Sequence, residues 1–183
     1  MTMIIASNQQ EYRLLAIVRG DEDELERQYT PITAALVVAK CGDKFLLGFN
    51  RYRNQWEAPA GRIEEGETAR ECATRELYEE ASQVVDELRF ECLAEMLRPR
   101  GERKFTAVYS TSLRELAEFH ENPEWIRIKL WNVYRSISDI DEVDLAILRS
   151  GQLSRSLFSP NDTKSHQLIS ISPRNKDVSR TSE

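Results

Sequence analysis

The chain has 183 residues, with 31 Asp and Glu against 25 Lys and Arg and a net charge of -6. That length supports one ordinary domain with a hydrophobic core, and the acidic balance works against general nucleic-acid binding, which draws on a surplus of Lys and Arg. No apolar run approaches the roughly 20 residues of a membrane helix, and "MTMIIASNQQ" lacks the basic start of a secretory signal, so a cytoplasmic domain with neither nucleic acid nor membrane as partner is expected. Cys41, Cys72 and Cys92 are an odd number at wide spacing, which reads as reduced thiols rather than a disulfide framework or zinc site.

In chain order, "EYRLLAIVRG" at residues 11–20 reads as a strand and the acidic "DEDELERQY" after it as a loop or short helix, so residues 1–30 are expected to add an edge element. The domain proper is placed at residues 31–153. "PITAALVVAK" reads as a buried strand, and "CGDKFLLGFNRY" supplies a turn at Gly42 and Asp43 and a second strand, making a hairpin. In "NQWEAPAG" Pro59 removes a donor and Gly61 permits unusual dihedrals, so a loop is expected. Thr68 followed three residues later by Glu71 is a capping-box pattern, which starts a helix at Thr68 and runs it to about Ala81. Two strands, "LRFECLAEML" and "KFTAVYSTSL", follow around the charged loop "RPRGER", then a third, "WIRIKLWNVY". "DIDEVDLAILRSG" reads as a second amphipathic helix closed by Gly151, and the polar residues 154–183 as a flexible tail.

The first helix carries Glu76, Glu79 and Glu80, which at about 100° per residue fall on one face together with Ala69, Cys72 and Ala73. A solvated helix charge is the ordinary explanation for any one of them. Like charges at i,i+4 cost only a few tenths of a kcal/mol, so repulsion alone decides nothing. The adjoining small residues let a ligand approach closely, and a hard divalent cation takes such a cluster of carboxylate oxygens.

The stretch from Gly61 to Gln83 resembles the Nudix box, GX5EX7REUXEEXGU with U aliphatic. Gly61, Glu67, Arg75, Glu76, Leu77, Glu79 and Glu80 match at the required spacing, seven of the nine specified positions. Ser82 stands where that family has Gly, and Gln83 where it has an aliphatic residue. The resemblance implies an α/β fold, an α/β/α sandwich around a mixed β-sheet, and hydrolysis of a nucleoside diphosphate linked to another moiety.

It further implies that Glu79 and Glu80 hold Mg2+ or Mn2+, that Glu76 binds metal or orients the water, and that the Ala60 carbonyl completes the shell. Arg75 and Glu67 would brace these carboxylates. The family recruits its general base from the box or from a later loop, where Glu102, Glu118 and Glu121 are eligible, although each also reads as a surface charge.

"WEAPAG" and Pro99, sixteen residues beyond Gln83, resemble the ADP-ribose and ADP-sugar pyrophosphatase branch. On that reading Arg51, Arg53, Trp56, Arg98 and Pro99 bind substrate, although the aromatic and basic residues could equally form a solvated rim. A nucleoside triphosphate pyrophosphatase, including one for oxidised nucleotides, is the alternative, with a non-catalytic nucleotide sensor behind it. A homodimer is left open. "GRIEEG" is not a P-loop, since Glu67 and Thr68 follow its second glycine rather than Lys and Ser or Thr, and no GxSxG is present.

Overall fold

A computed structural model describes residues 3–157 of the chain. The strands are β1 (Ala6–Ser7), β2 (Arg13–Val18), β3 (Ile32–Cys41), β4 (Lys44–Asn50), β5 (Gln55–Glu57), β6 (Ala60–Arg62), β7 (Arg89–Leu97), β8 (Arg103–Leu113) and β9 (Trp125–Trp131), and the helices α1 (Glu22–Gln28), α2 (Ala69–Ala81) and α3 (Glu142–Leu157). All the strands join one mixed sheet in the order β1-β2-β7-β8-β3-β4-β5, with β6 also on β3 and β9 also on β4. The β3–β8 pair is parallel and the others are antiparallel. Strands β1 and β2 stand at one end of this order.

Alternation along β3 divides the core between two layers, because successive side chains of a strand point to opposite faces. Ala35, Val37 and Ala39 pack with Cys72, Ala73 and Leu77 of α2 and with Leu25 of α1. Leu36 packs with Val143 and Ile147 of α3, and Phe45 and Leu47 of β4 extend that layer toward Leu145 and Leu148. The result is an α/β/α sandwich. Cys72 and Cys92 are buried, Cys41 is partly exposed, and all three are free thiols.

The structure departs from the sequence reading in three places. The β3–β4 hairpin pairs only at its tip, Lys40 with Phe45 and Cys41 with Lys44, after which β6 takes the place beside β3 and β4 turns to β5 and β9. The expected loop "NQWEAPAG" thus contains strand residues; Pro59 donates nothing, but its carbonyl accepts the Val37 N–H at 2.8 Å. Helix α3 does not end at Gly151 but continues to Leu157, since a helical glycine costs only about 1 kcal/mol relative to alanine. The rest of the polar tail and its "HQLISI" segment lie outside the described residues. Among the described residues no helix is long and apolar enough to cross a membrane.

Candidate active site

Helix α2 begins with a complete capping box. The Thr68 hydroxyl accepts the Glu71 N–H at 3.2 Å, and the Glu71 carboxylate accepts the Thr68 N–H at 2.8 Å. Two orphan donors are thereby satisfied where the chain leaves β6, which fixes the register of every later side chain on the helix. The small face of Ala69, Cys72 and Ala73 lies against the sheet, bringing the helix close to the strand segment Ala60–Arg62. At this approach Gly61 has no room for a side chain, since a Cβ there would lie 1.8 Å from Glu76 Oε1.

Glu76, Glu79 and Glu80 of the helix stand in different environments. Glu80 is buried, and its Oε2 accepts the Ala60 N–H at 2.8 Å. Glu76 is largely buried under Gly61, whereas the Glu79 side chain is 57 % exposed. Arg75 lies among them. Its Nη1 donates to Glu76 Oε1 at 2.7 Å and to Glu79 Oε2 at 3.1 Å. Its Nε and Nη2 make a two-point contact with Glu67 at 2.8 and 2.9 Å, and Nη2 also donates to the Arg62 carbonyl at 2.9 Å.

The charges respond to these surroundings. Hydrogen bonds from Arg75, then from the Glu64 N–H, hold the Glu67 carboxyl down to about 2. Burial raises Glu80 well above the ordinary carboxylate range against the pull of the Ala60 N–H, and the neighbouring Glu76, Glu124 and Glu57 push it further. Burial also raises Glu76, with Arg75 opposing.

The donor chemistry fits a hard divalent cation. All the side-chain donors are carboxylate oxygens, the set such ions prefer. One guanidinium nitrogen already sits between Glu76 and Glu79, so the two carboxylates can share a positive charge; Glu80 is raised by burial first and then by its acidic neighbours, and a bound cation would offset both effects. Among the described residues no three His, Cys, Asp or Glu groups converge on one point at ligand distance in this arrangement.

Beside Ala60 and Gly61 opens a cavity of about 300 Å3 whose lining includes Tyr12, Arg53, Arg98, Lys104, Glu57 and Asp144. Of the residues singled out for substrate, Arg53 and Arg98 line it. Arg53 donates to the buried Glu57 at 2.9 Å, and Arg98 lies over the Tyr12 ring, 5.9 Å from its centroid. Arg51, Trp56 and Pro99 are elsewhere. Arg51 pairs with Glu121. Trp56 packs edge-on against Phe49 and carries Lys129 at 3.8 Å from its ring centroid. Pro99 sits in the β7–β8 turn, which is closed by an Arg98 N–H to Glu102 carbonyl bond at 2.9 Å.

The candidate bases are also dispersed. Glu102 pairs with Arg98 at 3.5 Å, Glu121 is taken by Arg51, and Glu118 is exposed on the segment between β8 and β9. Two acidic residues that sequence reasoning did not single out, Glu57 and Glu124, lie near enough to help raise Glu80. Asn50 links them, its Nδ2 donating to Glu57 Oε2 at 3.1 Å and Glu124 Oε2 at 3.5 Å. Glu57 lies inside "WEAPAG" and was legible as a buried acid next to a box; Glu124 carries no local signal.

The family model described as NUDIX domain matches residues 30–140. The chain belongs to the Nudix hydrolase family. Solved structures with this fold include the Bacillus subtilis pyrophosphohydrolase BsRppH, at 18% identity and TM-score 0.63, covering 85% of this chain and 99% of that one. The NUDIX domain of Shewanella oneidensis NrtR, solved with ADP ribose, gives 17% identity and TM-score 0.57 over 74% of this chain and 99% of that one. A C. elegans Ap4A hydrolase gives 21% and 0.54, covering 68% and 99%. At these identities the likeness is one of fold. No curated protein matches the chain.

Proposed function

We propose that this Nudix protein hydrolyses the phosphoanhydride bond of a nucleoside diphosphate linked to another moiety, with ADP-ribose or an ADP-sugar as substrate, in the presence of Mg2+ or Mn2+. The observation that carries the proposal is the convergence of Glu76 and Glu80 on the Ala60–Gly61 strand, with Arg75 tying Glu76 and Glu79 to Glu67.

Glu76, Glu79, Glu80 and the Ala60 carbonyl would hold the cation. Bound there, it would supply charge neutralisation at the phosphates and a lowered pKa of the attacking water. Arg75 keeps Glu76 and Glu79 in place through its bridging nitrogen, and Glu67 in turn holds the guanidinium by its two-point contact. Arg53, Arg98 and Lys104 offer positive charge along the cavity to phosphate oxygens. Glu124, near Glu76 and Glu80, receives the proton of the attacking water as the bridging P–O bond breaks. The products are a nucleoside monophosphate and a phosphorylated second moiety.

Arg53, Arg98 and Lys104 also suit a triphosphate chain, which keeps the nucleoside triphosphate pyrophosphatase as a second reading. A screen with Mg2+ that reads nucleoside monophosphate release by chromatography, over ADP-ribose, ADP-sugars, dinucleoside polyphosphates, and normal and oxidised triphosphates, tests both. Preferential turnover of ADP-ribose or an ADP-sugar supports the first reading; preference for a triphosphate replaces it with the second. A flat profile overturns hydrolysis in favour of a nucleotide sensor.

A further inference from the structure

Ser82 and Gln83 are the two positions at which the chain leaves the box pattern, and both turn toward the same segment, residues 114–124 between β8 and β9. Ser82 closes α2 in the left-handed conformation, at φ 57° and ψ 27°. Glycine reaches that conformation more cheaply but carries no side-chain acceptor. Here the Ser82 hydroxyl accepts the His120 N–H at 3.1 Å. Gln83 is 2% exposed, and all of its amide is used on its surroundings. Its Nε2 donates to the carbonyls of Ala81 at 2.8 Å and Ala117 at 3.3 Å, while its Oε1 accepts the Ala117 N–H at 2.9 Å. An aliphatic side chain would fill the same space and make none of these bonds.

Asn122 completes the attachment from the other side. Its Nδ2 donates to the main-chain carbonyls of Glu79 at 3.1 Å and Glu80 at 2.9 Å, and its Oδ1 accepts the N–H groups of Glu124 at 3.0 Å and Trp125 at 2.8 Å. At the far end the Arg51 N–H donates to the Glu124 carbonyl at 2.9 Å. The segment is thus held to the last turn of the carboxylate helix at three residues, and its final member is the glutamate that faces Glu57 through Asn50. A buried amide left without partners is costly, so Gln83 makes docking of this segment specific in a way that an apolar contact does not.

We infer that Ser82 and Gln83 are positioning residues, which lock residues 114–124 onto the C-terminal end of α2 and thereby hold Glu124 beside the carboxylate helix, where Asn50 links it to Glu57. The inference rests on the hydrolase reading above. In it, the two departures from the box are one adaptation: the left-handed serine and the buried glutamine both give up what the usual residues offer and gain a hold on the same segment.

The test compares wild type, Gln83→Leu and Ser82→Gly, each with and without Glu124→Gln. Backbone hydrogen exchange reads docking, and kcat and KM on the best substrate of the screen read positioning. Loss of one or two net hydrogen bonds is expected to speed exchange at Ala117 in Gln83→Leu, and at His120 in Ser82→Gly, by about tenfold while β3 stays protected. Gln83→Leu is expected to lower kcat about tenfold with KM little changed, and to have no such effect once Glu124 is already glutamine. Unchanged protection at Ala117 and His120, or an equal loss of kcat in both backgrounds, overturns the inference. A wild-type protein that hydrolyses nothing in the screen overturns the hydrolase reading and the positioning role with it, an outcome distinct from an active enzyme that is indifferent to Gln83.

Discussion

Gly61 lies against Glu76 so closely that a methyl group on its Cα would fall 1.8 Å from the Glu76 carboxylate oxygen. The contact couples the strand after the Pro59 turn to the helix that bears the acidic cluster. Gly61→Ala is expected to displace the carboxylate rather than the backbone, and a shift of about 1 Å in a catalytic group costs on the order of 10²-fold in rate. Steady-state kcat/KM, with circular dichroism to verify the fold, measures this. An alanine variant with full activity would place Glu76 outside the chemistry.

The buried Glu80 carries a pH signature. Because burial raises its pKa, the folded protein holds that proton above the pH at which the unfolded chain releases it. Stability of the metal-free protein therefore falls as pH rises from the ordinary carboxylate range through the raised value. Glu80→Gln retains an acceptor for the Ala60 N–H and has no proton to lose. Thermal unfolding in chelator from about pH 5 to pH 8 should show the variant gaining on wild type as pH rises, and added Mn2+ should raise the melting temperature of wild type more than that of the variant. Parallel curves would remove Glu80 from both roles.

Arg75 holds Glu67 with two nitrogens and bridges Glu76 to Glu79 with a third. Lysine keeps the charge but has no planar fork, so Arg75→Lys is expected to lose about 10- to 100-fold in metal affinity or kcat/KM, the usual effect of removing a ligand's support. The same change relaxes the low pKa of Glu67. A carboxylate held low stabilises the fold above its ordinary range and loses that contribution as pH falls toward about 2. The acid-unfolding midpoint of Arg75→Lys should accordingly move to higher pH, as followed by circular dichroism.

Gly48 in β4 meets the fully buried Trp125, and a Cβ there would lie 1.7 Å from the indole ring. Gly48→Ala overpacks this contact and should cost about 1–3 kcal/mol, measured by urea unfolding with tryptophan fluorescence. Since Trp125 follows Glu124 directly, a loss of activity larger than the loss of folded protein is also expected. An alanine variant of unchanged stability would show that the ring moves aside freely.

What could be read from the sequence was what depends on near neighbours along the chain. The capping box at Thr68 and Glu71 and the spacing of Arg75, Glu76, Glu79 and Glu80 follow from one helical turn after another, and the structure places α2 at Ala69–Ala81. Trp56 shows the limit. Its aromatic ring beside two arginines read as stacking surface for a ligand, but Lys129, more than seventy positions away in sequence, occupies that ring. Glu124 was missed for the same reason, because nothing local distinguishes it from Glu118 or Glu121. The hold of Ser82, Gln83 and Asn122 on residues 114–124 brings it to the helix. Ser82 and Gln83 read as imperfections in a pattern until the residues they contact were known.

The most direct test of the central claim is Mg2+-dependent hydrolysis of the best substrate by Glu76→Gln and Glu79→Gln, each purified and verified as folded. Removing one carboxylate charge while keeping the side-chain shape should abolish turnover at saturating Mg2+ and leave the melting temperature of the metal-free protein close to wild type. Undiminished turnover in either variant would contradict the assignment of α2 as the cation-binding helix.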